Sequence, residues 1–102
     1  GKPKGVAVTH DNLSPLMHWG YRHLAIGKGA RVIQNLAYYF DWSVWEMSIA
    51  LTTGAALYIA PGEVQTNPGA FITLMNEKQI TVLHATPTQY AYIVRTGGDW
   101  RG

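Results

Sequence analysis

The chain has 102 residues, of which 47% are hydrophobic and 14% are charged, a composition typical of a globular domain and not of a disordered segment. The formal net charge of +2 is too small to indicate nucleic acid or a membrane surface as a partner. The absence of cysteine excludes disulfides, zinc–thiolate sites and a thiol nucleophile, and no apolar run reaches the roughly 18 residues that a membrane span needs.

Short β-like runs alternate with helical segments along the chain. The runs typical of strands are 6–9, 31–36, 55–59 and 81–84. Between the first two, Asp11 or Asn12 is expected to cap a helix. A second helix is predicted over about 44–51, stopped by Gly54, and a third is predicted to begin at Asn67 with Pro68 in its first turn. A possible capping box between Thr86 and Gln89 predicts a fourth helix, which the glycines at 97 and 98 would end.

This alternation predicts an α/β fold, with a flavodoxin-like parallel sheet covered by helices. In such sheets, ligands bind beyond the carboxyl ends of the strands. That rule directs attention to three segments of the chain, which are 38–43, 60–65 and 84–88.

The segment after the second predicted strand carries the most informative pattern. Ser43 and Glu46 have the spacing of a capping box, which would leave Asp41 two residues outside the helix with its carboxylate available for a ligand. A carboxylate beside Trp42 and Trp45 would attract an ammonium group, because aromatic walls reduce the competition from water. The alternative is purely structural: Asp41 would interact with the helix end, and the tryptophans would belong to the core.

Several segments resemble adenylation domains of nonribosomal peptide synthetases, in the order in which those domains carry them. Phe40–Met47 and the adjoining Ala50–Ile59 look very like a core motif of that family. Gly1–Gly5 is similar to the tail of its phosphate loop, Val8–Leu13 matches the segment directly after that loop, and Ile80–Thr88 resembles a strand and turn that border the substrate pocket.

The resemblance implies an enzyme that activates an amino acid with ATP and magnesium, releases pyrophosphate and passes the acyl group to the phosphopantetheine thiol of a carrier domain. It implies that Asp41 holds the α-ammonium group of the amino acid. It also implies that Trp42, Trp45 and His84 line the side-chain pocket. Trp42 is larger than the residue that many relatives have there. Lys4 and Gly5 would belong to the phosphate loop that approaches ATP.

The same resemblance makes the whole chain, residues 1–102, an internal part of an adenylation domain, truncated at both ends and inactive alone. No catalytic residue and no metal site are expected within it, and the adjoining carrier and condensation domains would be cytoplasmic partners. Two alternatives remain open. One is a segment of an acyl-coenzyme A ligase, and the other is a non-enzymatic, flavodoxin-like binding module.

Overall fold

A parallel sheet organises the chain, whose computed structural model describes residues 2–37, 39–96 and 98–101. Strand β1 (Arg31–Gln34) pairs in parallel with strand β2 (Ala56–Ile59), with Val32 opposite Leu57. On its other edge, β1 makes a single parallel bridge from Val32 to Val82. The predicted α/β class and the parallel pairing are therefore confirmed, and β1 is the central element.

Helices precede and follow the strands, as the alternation predicts. Five helices are observed in the described residues: α1 (His10–His23), α2 (Asp41–Thr53), α3 (Gly62–Gln65), α4 (Pro68–Glu77) and α5 (Pro87–Thr96). The short helix α3 follows Pro61 and lies within 60–65, one of the three segments after predicted strands. Helix α2 ends where it was predicted to end, because Gly54 adopts the left-handed conformation (φ 78°) that glycine tolerates best.

The sheet separates two apolar clusters, because successive residues of a strand point to opposite faces. Val32 packs on one side with residues of α1 and α2, and Ile33 packs on the other side with residues of α4 and α5. The first cluster comprises Met17, Ile26, Val32, Trp45 and Ile49, and the second comprises Ile33, Ala60, Phe71, Ile72, Met75, Ile80 and Ile93.

Two helix starts show what local sequence can and cannot predict. Asn67 caps α4 through its side chain, which accepts the backbone N–H of Ala70, with Pro68 in the first turn as expected. Helix α1 is capped by Thr9, which corrects the prediction of Asp11 or Asn12. Thr9 and Asn12 form a reciprocal capping box, so Asn12 is the distal partner of the cap.

Two predicted strands are shorter in the structure or are not formed. The run 6–9 does not form a strand: it has no partner strand among the described residues, and Val6 and Val8 are exposed. The run 81–84 is reduced to the bridge at Val82. The fourth helix ends at Thr96 as predicted, although Gly97, one of the two glycines expected to end it, lies outside the described residues.

Candidate functional site

Helix α2 begins earlier than the sequence predicts, which changes the position of three polar residues. Its first residue is Asp41 and its N-cap is Phe40, which provides no side-chain cap. Ser43 is therefore inside the helix, and its hydroxyl donates to the carbonyl of Phe40 at 2.7 Å. The predicted Ser43–Glu46 capping box is wrong, and Asp41 belongs to the first turn of the helix instead of the preceding loop.

Asp41 lies at a cleft between α1 and α2, with its side chain exposed. The cleft has a volume of about 500 Å³ and its lining is mostly apolar. The lining residues are Val8, Asn12, Leu13, Leu16, Asp41, Trp42, Val44 and Trp45. Asp41 is the only charged residue among them, so a ligand here would meet one carboxylate and an apolar wall.

The structure brings three of the predicted pocket residues into one aromatic cluster. Trp42 stacks on His84, with 5.2 Å between ring centroids and 23° between ring planes. Trp45 contacts both rings edge-on, at centroid distances of 6.1 Å from Trp42 and 5.8 Å from His84. Trp45 is buried whereas Trp42 is 41% exposed, so Trp42 forms the outer side of the cluster.

A hydrogen bond fixes the chemical state of His84. The indole Nε1 of Trp45 donates to Nε2 of His84 at 2.8 Å, and this nitrogen can accept only when it carries no proton. Burial lowers the pKa of His84, which favours the same neutral state. The proton of the neutral ring then lies on Nδ1, which is buried and has no hydrogen-bond partner among the described residues. His84 lies against the two tryptophans, but it is not among the residues that line the cleft.

Glu46 is a buried carboxyl group that the sequence suggested only as a capping residue. Its side chain is fully buried, and neither carboxylate oxygen reaches hydrogen-bonding geometry with a described residue. Desolvation raises the pKa of Glu46 to about 7, against a smaller opposing effect of the backbone at Asn35 and Leu36. Glu46 is therefore partly protonated near neutral pH.

The sequence analysis missed a pair of amide side chains beside this cluster, a buried Asn35 and a half-buried Gln89. Asn35 and Gln89 exchange two hydrogen bonds, from Asn35 Nδ2 to Gln89 Oε1 and from Gln89 Nε2 to Asn35 Oδ1, each at 2.9 Å. Asn35 Nδ2 also donates to the carbonyl of His84 at 2.9 Å. Because the two amides are 54 residues apart, no local pattern could have indicated their pairing.

Lys4 and Gly5 lie in the exposed segment that precedes α1, and neither is among the residues that line the cleft. A Cβ atom at Gly5 would meet nothing within 4 Å, so the backbone there is open to approach. Among residues 2–37, 39–96 and 98–101, no three His, Asp or Glu side chains are grouped as a metal site. No helix of this part of the chain has the length and apolarity to cross a membrane.

Comparison with known proteins defines the family. The family model of AMP-binding enzymes matches residues 1–101. A hybrid PKS-NRPS synthetase of Penicillium oxalicum is 38% identical over 90 residues, which are 88% of this chain and 2% of that protein. The delta-poly-L-ornithine synthetase of Acinetobacter baumannii is 35% identical over 91 residues (89% of this chain, 7% of that protein). Phosphinothricin tripeptide synthetase PhsB of Streptomyces viridochromogenes is 34% identical over 97 residues (95% and 8%).

A match of this extent shows that the chain belongs to the AMP-binding enzyme family. Its similarity to synthetases from fungi and bacteria agrees with the resemblance seen in its motifs. The chain spans only 2–8% of the length of these three relatives.

Proposed function

We propose that the chain is part of an adenylation domain that activates an α-amino acid for a nonribosomal peptide synthetase. The observation that supports this most directly is the position of Asp41, an exposed carboxylate at the edge of an otherwise uncharged, largely apolar cleft. An amino acid presents an ammonium group and an organic side chain, and these match a carboxylate and an aromatic wall. The names of the similar synthetases support the same assignment.

In this proposal Asp41 binds the α-ammonium group by charge-assisted hydrogen bonds. Asp41 also lies in the first turn of α2, where the helix dipole favours a carboxylate, and Trp45 belongs to the core, so both features of the structural alternative are present as well. We propose that Asp41 serves the helix start and the ligand together. Trp42 and Trp45 shape the side-chain pocket together with His84, which acts through its packing against both rings. Because His84 is held neutral, we propose that it contributes shape and polarity to the pocket without a charge.

ATP supplies the adenylyl group that activates the carboxylate, and Lys4 with Gly5 would lie against its phosphates. The fit rests on two features of the segment before α1, which are an exposed lysine and a glycine whose backbone is open. The described residues contain no grouped carboxylates for a metal ion. We therefore assign the magnesium that accompanies ATP to ligands from the nucleotide and from outside this chain.

We propose that the complete reaction requires more polypeptide than these 102 residues, a proposal supported by the small fraction of each relative that the chain matches. We propose that the remaining ATP contacts and the catalytic groups come from that polypeptide. We also propose that the acyl group is passed to the phosphopantetheine thiol of a carrier domain and then to a condensation domain. The proposed compartment is the cytoplasm.

The test is ATP–pyrophosphate exchange by the complete adenylation domain that contains this sequence, with a panel of proteinogenic amino acids, fatty acids and aryl acids. We expect exchange with one or a few amino acids and its loss in Asp41→Ala. Exchange with fatty or aryl acids alone would assign the protein to the acyl-coenzyme A ligases and would remove the proposed function of Asp41. No exchange with any acid would favour a binding module.

A further inference from the structure

The buried side chain of Asn35 connects three parts of the chain: the end of β1, the segment that follows the bridge at Val82, and the start of α5. Asn35 follows directly after β1, is only 2% exposed and uses three hydrogen bonds. Both of its Nδ2 hydrogens are donated, one to the carbonyl of His84 and one to Gln89 in the first turn of α5. Its Oδ1 accepts from Gln89, so every polar atom of the Asn35 side chain is satisfied.

Such a network determines where His84 lies. His84 follows the bridge at Val82 and precedes α5, in a stretch without regular hydrogen bonding of its own. Its side chain is held by Trp45, whereas its backbone is held by Asn35. A buried amide that is fully satisfied specifies one arrangement, because any displacement leaves a buried donor or acceptor without a partner.

We propose that the reciprocal Asn35–Gln89 pair is a positioning device for His84 and that it sets the amino-acid selectivity of the pocket formed with Trp42 and Trp45. This inference rests on the proposed function. Asn35 and Gln89 act on the substrate through the placement of His84, and the Trp42 ring stacked on His84 moves with it. Asn35 and Gln89 are therefore positioning residues without a role in chemistry.

The hydrogen bonds predict a graded series of variants. Asn35→Leu removes all three bonds, and Gln89→Met removes the two amide–amide bonds and leaves the bond to His84. Gln89→Glu removes the bond to Asn35 Oδ1 and turns a carboxylate oxygen toward that acceptor. We expect the KM for the amino acid to rise by about tenfold or more for Asn35→Leu and by less for Gln89→Met, since a displaced binding group acts on the fit of the substrate. The KM for ATP should stay within about twofold.

A matched control is available on the far side of the core. Asn76 in α4 also bridges two backbone groups, because it donates to the carbonyl of Asp99 and accepts from the N–H of Arg101. Asn76→Leu therefore removes a brace of two hydrogen bonds at a half-buried asparagine that does not contact His84. The melting temperatures of both variants report any loss of stability, whereas positioning changes the KM for the amino acid only in Asn35→Leu.

The decisive experiment is a double-mutant cycle of Asn35→Leu and His84→Ala, measured by ATP–pyrophosphate exchange in the complete adenylation domain with its best and second-best amino acids. If Asn35 acts through His84, its effect on selectivity disappears when His84 is already alanine. Equal effects in both backgrounds, or an unchanged KM and selectivity in Asn35→Leu, would overturn the inference.

A second measurement separates this inference from the proposed function. The Trp45 indole N–H reports its bond to His84, and its proton resonance can be observed after selective 15N-tryptophan labelling, with Trp45→Phe for assignment. We expect this resonance to move in Asn35→Leu and to stay in Asn76→Leu. If the wild type activates no amino acid, the proposed function fails, and the resonance still decides whether Asn35 positions His84.

Discussion

Helices α1 and α2 both begin with an aspartate in the first turn, yet the two starts are built differently. The start of α1 is closed by its own side chains, because Thr9 and Asn12 satisfy each other's backbone N–H groups at 3.3 and 3.0 Å. The start of α2 has Phe40 at the N-cap and no side-chain cap. Asp11 therefore lies at a start that stabilises itself, whereas Asp41 lies at one left open beside an apolar cleft. The comparison shows that a helix with an aspartate in its first turn can start with a side-chain cap, as α1 does, or without one, as α2 does. We propose that the uncapped start serves binding.

The largest expected effect concerns the buried carboxyl group one turn into α2. Since burial raises the pKa of Glu46 from 4.5 to about 7, the folded state binds its proton more tightly than the unfolded state does. Glu46 should therefore stabilise the fold fully below about pH 4.5, and this contribution should be lost as the pH rises to about 7. The shift from 4.5 to about 7 corresponds to a loss on the order of 3 kcal/mol, at about 1.4 kcal/mol for each pKa unit.

The variant Glu46→Gln tests this pH dependence of stability, because the glutamine side chain is neutral at every pH. Denaturant unfolding of the adenylation domain at pH 5 and pH 8 should show that the variant gains stability relative to wild type as the pH rises. The exposed Glu77→Gln at the end of α4 is the control and should show no such trend. His84 changes stability in the opposite direction with pH, so the difference between variant and wild type is the quantity to compare. A difference that does not vary with pH would contradict the assignment.

The contact between α1 and α2 gives the next largest effect. A Cβ atom at Gly20 would lie 2.4 Å from Cη2 of Trp45 and 3.1 Å from Cδ1 of Ile49, and both side chains are buried. Gly20→Ala should therefore destabilise the domain by about 1–2 kcal/mol, with the overpacking outweighing the better helix propensity of alanine. Since Trp45 must move, amino-acid selectivity should change too.

Thermal unfolding and the exchange assay together measure both consequences of Gly20→Ala. Gly69→Ala in α4 is the matched control, because its Cβ would meet only Asn67 Oδ1 at an ordinary 3.6 Å. That control should be neutral or slightly stabilising and should leave selectivity unchanged. Equal melting temperatures for the two variants would show that the two helices do not pack closely at Trp45.

A smaller effect is expected at the capped helix start. Thr9→Ala removes the hydroxyl that accepts the Asn12 N–H and should cost about 1 kcal/mol of unfolding free energy. Because Thr9 does not line the cleft, the KM for the amino acid should not change. Chemical denaturation checks the stability, and the kinetics of ATP–pyrophosphate exchange measured on the same preparation check the KM. If Thr9→Ala raised the KM for the amino acid without lowering stability, the start of α1 would also contribute to substrate binding.

The sequence predicts those structural features that depend on contacts between residues close together in the chain, and it predicts poorly those that depend on contacts between distant residues. Asn67 with Pro68 and the terminating Gly54 use contacts within a few residues, and both were predicted correctly. The start of α2 was misplaced because Ser43 and Glu46 have the spacing of a capping box, although tertiary packing buries both.

The candidate site shows the same dependence on range. Resemblance to the family selected Trp42, Trp45 and His84, which the structure brings together, but neither spacing nor resemblance indicated the hydrogen bond between Trp45 and His84. The Asn35–Gln89 pair was missed entirely, since its partners meet only when the carboxyl ends of the parallel segments are aligned.

The central claim is that Asp41, at the open helix start, binds the ammonium group of an amino acid, while Asp11 does not. The most direct test compares Asp41→Asn with Asp11→Asn by the KM for the amino acid in ATP–pyrophosphate exchange, with melting temperatures measured alongside. The account predicts a rise of about 10- to 100-fold for Asp41→Asn, from the loss of charge-assisted hydrogen bonds, and no more than about twofold for Asp11→Asn, with similar melting temperatures for both. Equal KM values for the two variants, or a melting temperature lowered only in Asp41→Asn, would contradict it.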